Sequence, residues 1–198
     1  MILKYNNIDF LDIRYDINLI DKDRMLFKSS KLENAINNNR LVESFNTIPC
    51  LKFYNCIIHQ ASAIEQFLSD KFNMNGSNDY QKSKIYSICE YIIVIKNDYQ
   101  IFKICNKNNE EKLFYETLTN HLKFIDRNIC NNNSSFSVGY TVTRLDIALY
   151  NFVKYYFAET FNIMKIIINF KNIVKVIDNL EKDTIFKKIL QFNKETSF

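Results

Sequence analysis

SFNTIPCLKFYNCIIHQASAIEQFLSDKF, residues 44–72, decides how this chain is read, because it holds the one proline of a 198-residue sequence that has two glycines. An average chain of this length carries roughly 10 Pro and 14 Gly, so each one kept marks a backbone need that other residues do not meet. Pro49 opens a short apolar run, Cys50 to Phe53. Tyr54-Asn55 reads as a two-residue turn and Cys56 to Ile58 as a returning strand. From Gln60 the period changes, and Ala63, Ile64, Phe67, Leu68 and Phe72 fall at helical spacing. The stretch reads as strand, hairpin, helix, with a proline that donates no hydrogen bond at the first strand's entrance.

Outward from this unit, Met1 to Tyr5 reads as the end of a helix, and IDFLDIRY, residues 8–15, alternates well enough for a strand. Asp16 to Ser44 is polar. NMNGSND, residues 73–79, carries Gly76 and reads as a linker, beyond which everything looks helical. Ile85, Ile88, Ile92 and Ile95 recur on one helix face, and Phe114, Leu118, Leu122 and Ile125 on another. Both stripes read as core. VGYTVTRLD, residues 138–146, reads as a capped helix start: Thr143 caps the N–H of Asp146, the Asp146 carboxylate returns to the Thr143 N–H, and Val142 staples onto Ile147. Asp146 is then structural, not catalytic. Two more helices are expected, about Asn172 to Leu180 and Thr184 to Gln191.

The residues Ile48-Pro49, Gln60-Ala61 with Ala63-Ile64, and Thr143 with Asp146 together resemble the cytosolic glutathione S-transferases, most nearly the sigma-like members. The alternative for the hairpin alone is a plain hairpin with a trans edge proline, and for the capping box a generic helix start. The resemblance implies α/β plus all-α architecture: an incomplete thioredoxin-like domain over residues 1–73, a linker over 74–79 and an all-helical domain over 80–198. In that family a cis-proline preceded by an apolar residue enters strand three, and that residue's free N–H and C=O pair with the cysteinyl backbone of glutathione. A Gln-Ser pair at a helix start takes the γ-glutamyl end. By this resemblance Thr47, Ile48, Pro49, Gln60 and Ala61 bind glutathione, with Ala61 where the family has Ser. Arg40, nine positions before Pro49, takes the place where some members carry a Lys that pairs with the glycyl carboxylate; the alternative is a solvated helix Arg. Phe45 takes the place of an aromatic that some members insert into a partner subunit, and a core plug is the other reading. Tyr91 stands where the family has an Asp that crosses the dimer to the ligand's amino group, so that charge partner is displaced or lost.

The same resemblance puts strand one, its loop and most of helix one before Met1, and with them the Tyr, Ser or Cys that holds the glutathione sulfur. No catalytic residue is assigned on this reading, and the chain is expected to be either shortened at its start or a degenerate domain. Two function classes follow. One is a glutathione transferase or glutathione binder of doubtful activity, homodimeric and cytoplasmic, taking an electrophile if active. The other is a non-catalytic interaction module, since transferase-like domains also serve as assembly adaptors in translation complexes.

Composition bounds these readings. At 47% hydrophobic and 24% charged residues the chain is not a disordered one. A net charge of +4, dispersed along the sequence, argues against a nucleic-acid surface. Cysteines at 50, 56, 89, 105 and 130 form no C-x-x-C pair and accompany two histidines, which argues against a metal site and against a disulfide framework. The most apolar stretches fall far short of a membrane span, and a reducing, cytosolic setting is expected.

Overall fold

The computed structural model describes residues 1–16, 18–21, 26–105, 110–130, 134–157 and 163–195. The chain packs as two compact units, one of Ile8–Phe67 and one of Met1–Asn7 with Leu68–Phe198.

α1 (Ile2–Tyr5) is a single helical turn with Ile2 buried. The segment that follows departs from expectation: residues 8–15 form no strand. Ile8, Phe10, Leu11 and Ile13 stand 38%, 44%, 84% and 66% exposed, so the alternation has no buried face to define. A strand needs a neighbour to take its N–H and C=O groups, and among the described residues none pairs with this one. Pairing occurs further on instead, between β1 (Asn18–Asp21) and β2 (Leu26–Lys28), an antiparallel hairpin inside the polar stretch. Ser29 then caps α2 (Ser30–Asn37), its hydroxyl accepting from the Leu32 N–H at 3.2 Å.

The proline hairpin forms as read. β3 (Cys50–Phe53) pairs with β4 (Cys56–His59) in antiparallel register, Cys50 opposite His59 and Phe53 opposite Cys56. Tyr54 takes a φ of 51° at the turn. α3 (Ala61–Lys71) follows directly, and the Phe67 ring meets Phe53 edge-on at 5.4 Å, fixing the helix onto one face of the hairpin. Asn73, at φ 54°, ends α3 in the left-handed conformation, with the Met74 N–H returning to the Ser69 carbonyl at 2.7 Å.

Gly76 sits at φ +79°, and a Cβ there would come within 2.6 Å of the Gln81 Cβ, so the position needs glycine twice over. α4 (Asp79–Cys105) starts at Asn78, whose side chain accepts from the Gln81 N–H at 3.0 Å. On α4, Ile85, Ile88, Ile92 and Ile95 are 0–4% exposed. On α5 (Glu110–Asn128), Leu118, Leu122 and Ile125 are fully buried and Phe114 nearly so, which makes the two expected stripes the core.

α6 (Arg144–Asn151) runs through this core, continued by a π-helical turn, Phe152–Tyr156, that buries Phe152 and Val153. α7 (Met164–Ile167), α8 (Lys171–Lys182) and α9 (Thr184–Glu195) complete the unit. No helix among the described residues is long and apolar enough to cross a membrane.

Candidate functional site

The loop before β3 is built by Ser44. Its buried hydroxyl reaches the carbonyls of Leu41 and Thr47 at 2.8 and 3.1 Å, and the Thr47 hydroxyl returns to the Ser44 carbonyl at 2.7 Å. Phe45 and Asn46, at φ 54° and 56°, turn the chain between these anchors. Ser44, three residues from both Leu41 and Thr47, is in reach of either carbonyl, a local signal that marks this turn in the sequence.

Beyond the loop the Ile48-Pro49 bond is cis. Ile48 is 39% exposed, and among the described residues its backbone has no hydrogen-bond partner. Cys50 faces His59 in the last rung of the ladder, so Pro49 and Gln60 both lie just beyond that same end of the hairpin. Gln60 holds φ +70°, a strained conformation for that residue, while its carbonyl accepts the Ile64 N–H at 3.0 Å and so begins α3. The side chain is exposed. The first N–H groups of α3, at Ala61, Ser62 and Ala63, have no carbonyl within the helix and lie at the positive end of its dipole. Thr47, Ile48, Pro49, Gln60 and Ala61 are thus gathered at one end of the hairpin. Ser62, which carries the one hydroxyl of that first turn, was not singled out in the sequence.

Two other expected residues sit differently. Arg40 lies in the turn after α2, not within a helix; its N–H bonds the Ala35 carbonyl at 2.9 Å and its side chain is exposed. Phe45 is 73% exposed, with its ring edge-on to His59 at 4.6 Å, so it is not a core plug.

In the helical unit the Tyr91 hydroxyl and His121 Nδ1 share a hydrogen bond of 2.6 Å, and His121 Nε2 stands 3.8 Å from Asp98 Oδ2. Tyr91 and Asp98, seven residues apart, share one face of α4, and His121 on α5 is hydrogen-bonded to Tyr91 alone of the two. The sequence reading had not joined these residues.

The capping box is present at Thr143, with a larger set of donors than expected. Asp146 Oδ2 accepts the Thr143 N–H at 2.7 Å and the Thr143 hydroxyl at 2.6 Å; Oδ1 accepts the Ser137 N–H and hydroxyl, both at 2.7 Å. Burial pushes the Asp146 carboxyl above the usual carboxylate range, against the pull of these donors toward the charged form. Its partners are all structural. Among the described residues no group of three or more His, Cys, Asp and Glu could hold a metal ion.

A hairpin entered by a cis-proline, a strained Gln at the start of the next helix, and an all-helical unit with a doubly held capping Asp define a thioredoxin-like hairpin domain joined to a transferase-type helical domain. A family model described as "Glutathione S-transferase, C-terminal domain" matches residues 96–192. A glutathione S-transferase of Plasmodium yoelii yoelii is 28% identical over 155 residues, 76% of this chain and 68% of that protein. One of the mite Tyrophagus putrescentiae is 23% identical over 96% of this chain and 84% of that protein. Among solved structures, the Pi-class glutathione S-transferase of Onchocerca volvulus superposes with a TM-score of 0.74 at 18% identity, covering 98% of this chain and 85% of that one. A monomeric glutathione S-transferase of the hookworm Necator americanus gives 0.74 at 18% identity, over 100% and 91%. The chain is thus similar in sequence to glutathione S-transferases and shares their fold.

Proposed function

We propose that the chain binds glutathione at the end of the proline hairpin and does little to activate its thiol. The observation that carries this reading is that an Ile48 backbone with no hydrogen-bond partner among the described residues and a strained Gln60 both lie beyond the same end of the hairpin, with the first N–H groups of α3 following Gln60. An extended tripeptide can add its backbone to Ile48, and its γ-glutamyl carboxylate can settle on the helix start with the Gln60 amide. Arg40 is the candidate partner for the glycyl carboxylate.

Three features weaken the chemistry. Ala61 lacks the hydroxyl expected there, and Tyr91 replaces a carboxylate and has its hydroxyl bound to His121. The reading also assigns no residue to hold the sulfur as thiolate, and lowering the thiol pKa is what such catalysis requires. The reading extends to residues 1–73 as the thioredoxin-like domain, 74–79 as the linker and 80–198 as the helical domain. It includes a cytoplasmic homodimer with Phe45 at its seam, and an electrophile as second substrate if turnover occurs. The departures at Ala61 and Tyr91 also favour the second reading, a transferase-like interaction module.

Titration calorimetry with glutathione, run beside a conjugation assay with a generic electrophile, tests the two readings. Weak, saturable binding with turnover no faster than in solution is expected. Turnover at the level of an ordinary transferase contradicts the first reading, and a complete absence of binding leaves the interaction module.

A further inference from the structure

α8 carries a basic row that the glutathione site does not use. Ile173, Val176, Ile177 and Leu180 are 0–3% exposed and fix one face of the helix into the core. At about 100° per residue, Lys171, Lys175, Asp178 and Lys182 fall within roughly 60° of one another on the opposite face, and all four are exposed. They line an open groove of about 430 Å³, with Ser135 at its edge and Asn179 beside the row.

The helix is held in register at its start. Asp126 Oδ1 accepts the Asn172 and Ile173 N–H groups at 2.8 and 3.0 Å, and the Asn172 amide returns to the Asp126 carbonyl at 2.7 Å. Neighbouring carboxylates are committed elsewhere. Glu181 pairs with Lys154 at 2.9 Å and accepts from the Tyr150 hydroxyl, while Asp183 accepts the Phe186 N–H at 2.7 Å. Among the described residues that line the groove, Asp178 is the one carboxylate beside three lysines.

We propose that this groove docks an acidic segment of a partner protein, with carboxylates against Lys171, Lys175 and Lys182 and a cationic residue against Asp178. The row from Lys171 to Lys182 runs about 16 Å, the length of three turns of a docked helix. Its sign pattern chooses between kinds of anion. A phosphate backbone or an anionic lipid surface presents unbroken negative charge and is repelled by Asp178 in the middle of the row. A peptide can place a Lys or Arg there and satisfy every group. Ser135 and Asn179 add hydrogen-bonding groups suited to a polar chain.

The test uses the full chain and a fluorescent helical peptide that carries Glu at the spacing of the three lysines and Lys at the place facing Asp178. A scrambled peptide of equal composition, polyuridylate and phosphatidylserine vesicles are compared with it by anisotropy and competition. The matched peptide is expected to bind with an affinity that falls as salt is raised, and to bind at least tenfold more tightly than the scrambled one. The combined Lys171→Glu, Lys175→Glu, Lys182→Glu variant is expected to lose tenfold or more. Asp178→Lys is expected to weaken the matched peptide while strengthening polyuridylate. Should the triple variant melt below the parent, the single Lys182→Glu variant, expected to lose about threefold, takes its place. Equal binding of the scrambled peptide, preference for polyuridylate or vesicles, unchanged binding by the lysine variants, or no binding of the matched peptide each overturns the proposal.

Discussion

Asp146 shows how much one side chain can carry. Removing the Thr143 hydroxyl leaves the Thr143 N–H still bonded to the carboxylate, whereas removing Asp146 strands two N–H groups and two hydroxyls in a dry interior. Thr143→Ala should cost about 1 to 2 kcal/mol, and Asp146→Ala about 3 kcal/mol or more, by urea unfolding. Equal losses would mean that the Ser137 arm contributes nothing. The Thr143 arm was legible in the sequence because a capping box is local, three residues from end to end. The Ser137 arm was not, because it comes from a loop nine residues away whose path only the folded chain fixes.

Cys130 gives a prediction about pH. Burial pushes its thiol up to about 11, against the opposing pull of Lys175. Below about 9 the thiol is protonated both folded and unfolded and adds nothing to the pH dependence. Above that the unfolded chain ionises first, so stability is lost as pH climbs from about 9 to about 11. The melting temperature should fall across that window, and less so in Cys130→Ala. At pH 8 exposed Cys50 and Cys56 should alkylate before Cys130, as mass spectrometry would show.

Among the elements, those with a long period were the easiest to read. α4 and α5 keep an apolar residue every three or four positions for several turns, and each of those residues is buried. Residues 8–15 misled because alternation marks a strand only when another chain segment stands beside it. β1 and β2 were hidden because they are short, four and three residues, too few to show a period. The αL turns at Phe45, Asn46 and Gln60 left no Gly to reveal them. Gly76 was legible as a break, and its close approach to Gln81 makes it more than a spacer. Gly76→Ala should cost about 2 kcal/mol through left-handed strain and the clash, lowering the melting temperature of the helical unit. A variant as stable as the parent would show that the turn relaxes freely.

For the whole molecule, the helical unit speaks for ancestry and the hairpin unit for function. The matched family model lies wholly within the helical unit, where cores conserve pattern, while the residues proposed to hold glutathione lie in the smaller unit, on a loop and two chain turns. A two-fold dimer is expected by light scattering at micromolar protein, with Phe45→Ala shifting the mass toward monomer. A monomer throughout would remove the seam assigned to Phe45, and the monomeric Necator americanus structure shows that the fold can be crystallised in that state.

The most direct measurement is residue-resolved: amide shifts of the isotope-labelled chain titrated with glutathione. The account predicts saturable shifts largest at Thr47, Ile48, Gln60 and Ala61, strongly reduced in Gln60→Ala. Shifts centred elsewhere, or none at millimolar glutathione, would contradict it.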